Sequence, residues 1–199
     1  MTADLSLGDT QLIINECHKD GCTREQTAYI LATARWETNH TMKPVQEAYW
    51  LSDKWRRQNL RYYPWHGRGY VQITWQRNYR HAGDQLGVDL MKDPDSVMRP
   101  AIAVRILVRG MMQGWFTNHK LPDHVNEAKT DFAGARRVVN GTDKAQAIAA
   151  LAREYVEALS LTPAPQHVSE TPKNERIGWG AIIAAILTAI RQMFKGGRS

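Results

Sequence analysis

Three segments, ILATARWETNH (30–40), PVQEAYW (44–50) and HGRGYVQITWQRNY (66–79), decide how this chain is read. The first closes a helix. Thr23 and Gln26 have capping-box spacing, and Thr27, Ile30, Leu31, Ala34 and Thr38 then recur on one side at the helical period. Glu37 follows Ala34 by three residues and Ile30 by seven, which puts it on the apolar side near the helix C-terminus. A carboxyl half-withdrawn from water beside a negative helix end is expected to favour its protonated form, the state a proton donor needs. The plain alternative is a helix-end glutamate that points to solvent. Glu47 comes ten residues later, beyond Pro44, in an expected loop facing the helix end. Glycoside hydrolysis uses two carboxyls, one donating a proton and one assisting water or the positive charge developing on the sugar. Two glutamates at this spacing are common, so the pair alone selects no chemistry.

In the third segment, Gly67 and Gly69 are expected to let backbone approach a ligand closely. Residues 70–74 alternate like a short strand, with Tyr70, Gln72 and Thr74 on one face able to line a cleft. An ordinary exposed strand face reads the same way. Working outward, Ser52 opens a helix to about Tyr62, and another runs from Trp75 to about Leu86. Asp93-Pro94 marks a turn, and Pro100 introduces a long apolar helix to Trp115. Residues 131–139 read as helical, stopped by Asn140-Gly141, and Thr142 or Asp143 caps a last helix through Leu159. The predicted fold class is mainly α with a small β-hairpin. In the cluster Trp55-Arg56-Arg57 and Arg61-Tyr62-Tyr63, a groove for an anionic glycan and a packed helix face with solvated arginines both remain open.

The boundaries predicted are a catalytic domain over 1–160, a linker over 161–176 containing Pro163, Pro165 and Pro172, and a basic, apolar helix over 177–199. A 199-residue chain with 43% hydrophobic and 23% charged residues is globular in composition, which argues against a disordered chain. The net charge of +6 favours an anionic partner, and half of it lies in residues 161–199. The apolar run 177–190 would form about 21 Å of helix, short of the roughly 30 Å hydrocarbon core of a bilayer. Trp179, Phe194 and Lys195 suit a membrane interface, so contact of 177–199 with anionic lipids is expected. A helix packing back on the domain or self-associating is the alternative. Cys17 and Cys22 allow a disulfide, but free thiols are the preferred reading. The start of the chain has no secretory signal pattern, which leads to an expectation of synthesis in the cytoplasm and action on the cell wall beyond it. His119 and His124 lack neighbours with ligand spacing, HExxH is absent, and no P-loop or GxSxG occurs. No metal, cofactor or nucleic-acid partner is expected, and the chain is read as a monomer.

Taken in order, WET (36–38), QEA (46–48), GRGYVQIT (67–74) and NY (78–79) resemble glycoside hydrolase family 19, a chitinase-like, lysozyme-like fold also used by phage endolysins. The likeness continues through Asp93-Pro94-Asp95, the helix 100–115, Val139-Asn140-Gly141 and Arg153-Glu154-Tyr155, covering roughly residues 10–160. The short spacing from Glu37 to Glu47 is similar to that of the compact phage members. The resemblance implies that Glu37 is the proton donor and Glu47 the base that activates water. It implies that Thr74 helps hold that water, and that Arg68, Tyr70, Gln72 and Asn78 belong to the sugar-binding segment. Asn140 and Arg153 match the far side of the cleft, with Arg153 tuning a carboxylate. Trp36 departs from the family, many of whose members have His before the acid. The expected function is an inverting endolysin that cuts β-1,4 bonds in peptidoglycan strands and lyses a host cell. A chitinase and a non-catalytic membrane-disrupting protein are the alternatives, and a nucleic-acid binder is a weaker one.

Overall fold

The computed structural model describes residues 3–161; the expected linker and C-terminal helix lie outside the described residues. Within them the helices are α1 (Thr10–Lys19), α2 (Arg24–Glu37), α3 (Asp53–Asn59), α4 (Gln76–Leu86), α5 (Pro100–Gln113) and α6 (Ala145–Leu161). Strands β1 (Val45–Gln46) and β2 (Arg68–Gly69) form one antiparallel pair, and β3 (Val125–Asn126) and β4 (Lys129–Thr130) form another. The mainly α class with small hairpins is therefore what the described residues adopt.

The capping box at Thr23 is complete. Thr23 Oγ1 accepts from the Gln26 N–H, and Gln26 Oε1 accepts from the Thr23 N–H at 2.9 Å. From Gln26 to Arg35 every residue of α2 is buried, so this helix is wrapped on all sides and not amphipathic. Its main partner is α6, whose Ile148, Ala149, Ala152 and Tyr155 face the core. Gln26 Nε2 donates to the Val125 carbonyl at 2.9 Å, and Tyr29 stacks on Phe132, with ring centroids 5.8 Å apart. α5 contributes Ile106, Leu107 and Met111, each essentially inaccessible, and packs against α1 and α2.

Two expectations need correction, and one helix adds to them. α1 was not anticipated: Asp9 makes no side-chain cap, since its carboxylate accepts from Tyr70 Oη at 2.6 Å instead. The helix from Ser52 stops at Asn59, where Leu60 becomes extended and a turn follows. Residues 131–139 form no α-helix; Asp131 Oδ1 accepts from the Gly134 N–H, and only a 3-10 segment, Gly134–Val138, follows. Cys17 and Cys22 are free, with the Cys22 N–H donating to the Cys17 carbonyl at 2.9 Å. Burial pushes the Cys17 thiol well above its usual value, and its hydrogen bond with Cys22 adds to that.

Candidate active site

β1 and β2 place Glu47. Val45 pairs with Gly69 and Gln46 with Arg68, and the Glu47 N–H extends the ladder by donating to the Gly67 carbonyl at 2.7 Å. The Glu47 carboxylate is held at both oxygens. Oε2 accepts from the Gly67 N–H at 2.9 Å and Oε1 accepts from Tyr62 Oη at 2.7 Å. A Cβ on residue 67 would lie 2.7 Å from Gln72 Oε1 and 3.2 Å from Glu47 Cβ. Glycine here admits the protein's own side chains, in place of the close ligand approach expected from sequence. Gln72 Nε2 donates to the Val45 and Gly69 carbonyls at 2.8 and 3.2 Å, tying the turn after β2 back to β1. Burial, and then the hydrogen bond to Glu47, push the Tyr62 phenol up to about 12, so Tyr62 remains a donor across the working range.

Glu37 is the last residue of α2, and its surroundings are charged where an apolar setting was expected. Arg136 Nη1 donates to Glu37 Oε1 at 2.7 Å, and Arg136 is itself 4% exposed. Its Nε donates to the Asp143 carbonyl at 3.1 Å, which anchors the guanidinium to the loop before α6. Among the described residues no donor reaches Glu37 Oε2. Trp36 meets the His40 ring edge-on with centroids 5.7 Å apart.

The backbone around both carboxyls is strained. Of the eight non-glycine residues with positive φ among the described residues, Asn39, His40 and Met42 follow Glu37, Ala48 follows Glu47, and Gln72 and Trp75 lie on the segment packed over Glu47. Such conformations cost on the order of 1–3 kcal/mol each and gather at functional sites, where packing imposes them. Trp75, a bulky residue at φ 71°, is the least tolerant of them.

The remaining predicted residues divide. The positive φ of Gln72 breaks the alternation, so Tyr70, Gln72 and Thr74 do not share a strand face. Tyr70 is fully buried with its hydroxyl on Asp9, which places it in the core and not in a cleft. Arg68 is 3% exposed, and its guanidinium serves Asp95, Tyr79 Oη and the Pro64 carbonyl, which leaves it structural and not sugar-facing. Thr74 and Asn78 are half-buried and joined by a 2.8 Å hydrogen bond from Asn78 Nδ2 to the Thr74 carbonyl. Asn140 is exposed, its Oδ1 accepting from the Gly141 N–H. Arg153 is exposed on α6, and the arginine that reaches Glu37 is Arg136. Sequence reading missed Arg136 because the pair spans 99 positions and nothing local separates it from Arg137 or Arg153. His119 and His124 have ring centroids 5.9 Å apart, and among the described residues no third ligand makes a metal set of them.

Comparison with known proteins bears on this geometry. The glycoside hydrolase family 19 model, chitinase class I, matches residues 26–126, just over half of the chain and the stretch that holds Glu37, Glu47, Gln72 and Asn78. One Arabidopsis thaliana endochitinase is 37% identical over 78 residues, covering 39% of this chain and 25% of its own length. A second is 30% identical over 128 residues, covering 61% of this chain and 44% of its own. The chain thus spans less than half the length of these relatives. Chitinase C from Streptomyces griseus superposes with a TM-score of 0.55 at 23% identity, covering 71% of this chain and 62% of that one, a likeness of fold. With the family model matched from the α2 capping box to β3, the chain belongs to glycoside hydrolase family 19.

Proposed function

We propose that this protein hydrolyses β-1,4 glycosidic bonds in bacterial peptidoglycan as an endolysin, with Glu37 as general acid and Glu47 as the second carboxylate, by an inverting route. The observation that carries the reading is the unequal holding of the two carboxyls. Glu47 accepts at both oxygens, from Tyr62 and from the Gly67 N–H, the arrangement of an ionised acceptor that keeps further lone pairs for a water. Glu37 is fixed by Arg136 through Oε1 alone, and Oε2, which no donor among the described residues reaches, is the oxygen assigned to the leaving group. Thr74 and Gln72 are assigned to water and sugar beside Glu47, with Asn78 supporting the Thr74 backbone. Asn140 is assigned to the far side of the cleft, beside the loop that Arg136 anchors. In an inverting site the carboxyls act on opposite faces of the sugar ring, and water is delivered from the Glu47 side.

The substrate choice rests on the net charge of +6, suited to a polyanionic wall, and on the compact spacing of the two glutamates. The protein is read as made in the host cytoplasm and acting on the wall, with residues 177–199 touching anionic lipids. A second reading, a chitinase acting on the neutral N-acetylglucosamine polymer, is favoured by the matched relatives, which are named endochitinases and chitinases. Incubation with purified sacculi and with chitin, followed by mass spectrometry of the new reducing ends, separates the two. Glu37→Gln is expected to lower the rate on wall by about 10²–10⁴-fold. Lysis at the parental rate by that variant would instead establish killing without catalysis.

A further inference from the structure

A line of side chains runs outward from Glu47. The Tyr62 ring, whose hydroxyl holds Glu47, meets the Trp75 ring with centroids 5.0 Å apart and a 58° tilt. The Arg61 guanidinium carbon in turn sits 5.0 Å from the Trp75 ring centroid. Trp75 is 40% exposed and Arg61 is exposed, so this line ends in a cation at the surface. Trp75 is held from behind by its N–H, which donates to the Trp65 carbonyl at 2.8 Å. Seating on an aromatic face restricts a long side chain that would otherwise sweep through solvent, and it leaves the guanidinium edge with its N–H donors free to face outward.

Several arginines of this part of the chain are engaged by acids, whereas among the described residues Arg77, two residues after Trp75, pairs like Arg61 with none. Arg56 and Arg57 lie near Asp53, Arg68 pairs with Asp95, and Arg99 with Asp93. Among the described residues no carboxylate pairs with Arg61. What sets Arg61 apart is that its charge is seated on the Trp75 ring, at the outer end of the line that begins at the proposed base.

We propose that Arg61, seated on Trp75, is a specificity-determining residue that recognises carboxylates borne by the glycan next to the bond being cut. In peptidoglycan these are the acidic groups of the lactyl-linked peptide on every second sugar; an N-acetylglucosamine polymer has none. The inference rests on the peptidoglycan reading and gives that reading a side chain which tells the two polymers apart.

The test uses the full chain with soluble peptidoglycan strands, either native or with their carboxyls converted to amides. On native strands at low salt, Arg61→Gln is expected to raise KM about two- to fivefold with kcat within about twofold, the range of one exposed charge pair. Arg61→Glu is expected to raise KM further. On amidated strands both variants should fall within about twofold of the parent, because the partner charge is gone. An equal loss on both substrates, or no loss on native strands, overturns the assignment while leaving peptidoglycan cleavage intact. Failure of the parent to cut either form of strand while it cuts chitin overturns the peptidoglycan reading and this inference together. Because Arg61 is exposed, its variants are expected to keep the parent's melting temperature.

Discussion

Lowering the pH from 7 to 5 is expected to cost the folded protein about 2 kcal/mol through His66 alone. His66 is fully buried directly before Gly67, the residue whose N–H holds Glu47. The Gln46 amide nitrogen lies 2.7 Å from His66 Nε2, and the ring stacks on Tyr63 with centroids 5.6 Å apart. A neutral ring protonated at Nδ1 can accept that amide hydrogen, whereas a charged ring cannot. Burial first, then the Arg68 and Arg56 charges, lowers the pKa of His66 from its ordinary 6.5 to about 4. Between these values the unfolded chain binds a proton that the folded chain refuses, so stability falls as pH falls through this window. The full difference corresponds to about 3 kcal/mol, of which about 2 kcal/mol is already lost at pH 5. Urea unfolding at pH 7 and pH 5, in the parent and in His66→Gln, measures it. The variant should be less stable than the parent at pH 7 but lose about 2 kcal/mol less between the two pH values. Burial also lowers His124, and it contributes with the same sign in both proteins, so the difference isolates His66. Identical pH dependence in the two proteins would refute the reasoning.

Other perturbations test separate parts of the site. Tyr62→Phe removes the donor at Glu47 Oε1, a hydrogen bond to a charged group worth about 1.5–3 kcal/mol, so kcat should fall about ten- to a hundredfold with a smaller change in KM. A kcat within twofold of the parent would show that Gly67 alone positions Glu47. Arg136→Met frees Glu37 and cuts the tie to the Asp143 carbonyl. A stability loss of about 2–3 kcal/mol by thermal denaturation is expected, with cleavage falling at temperatures where the variant remains folded. In Gly110→Ala a methyl would enter the Phe116 ring behind α5, so about 1–3 kcal/mol of stability should be lost while kcat of the folded fraction is unchanged.

How much of this was legible in the sequence depends on the range of the interaction concerned. Helices with local start signals were readable: the Thr23 box, Ser52 at α3 and Pro100 at α5, although α5 stops at the left-handed Gly114 and not at Trp115. α1 went unread although Asp9 stands before the apolar positions Ile13, Ile14 and Cys17; in the fold the Asp9 carboxylate serves Tyr70 from 61 residues away. Residues 70–74 misled for a related reason. Their residue types alternate, but the backbone does not: Gln72 takes a positive φ and its amide reaches two strand carbonyls.

The two glutamates behave in the same way. Their identity could be read from local motifs, but their settings could not, since Glu47 is completed by Tyr62 and Gly67 across a turn and Glu37 by Arg136 from the far end of the domain. This division has a physical basis. A general acid and a base on one fold must differ in environment, and here distant segments supply much of that difference. The family match ends at residue 126, before Arg136, so the segment that holds the proposed acid lies outside the stretch that identifies the family. The arginine serving Glu37 is therefore placed by the 3-10 segment Gly134–Val138 and by the loop before α6, whose Asp143 carbonyl it also binds, and not by any feature near the glutamates in sequence.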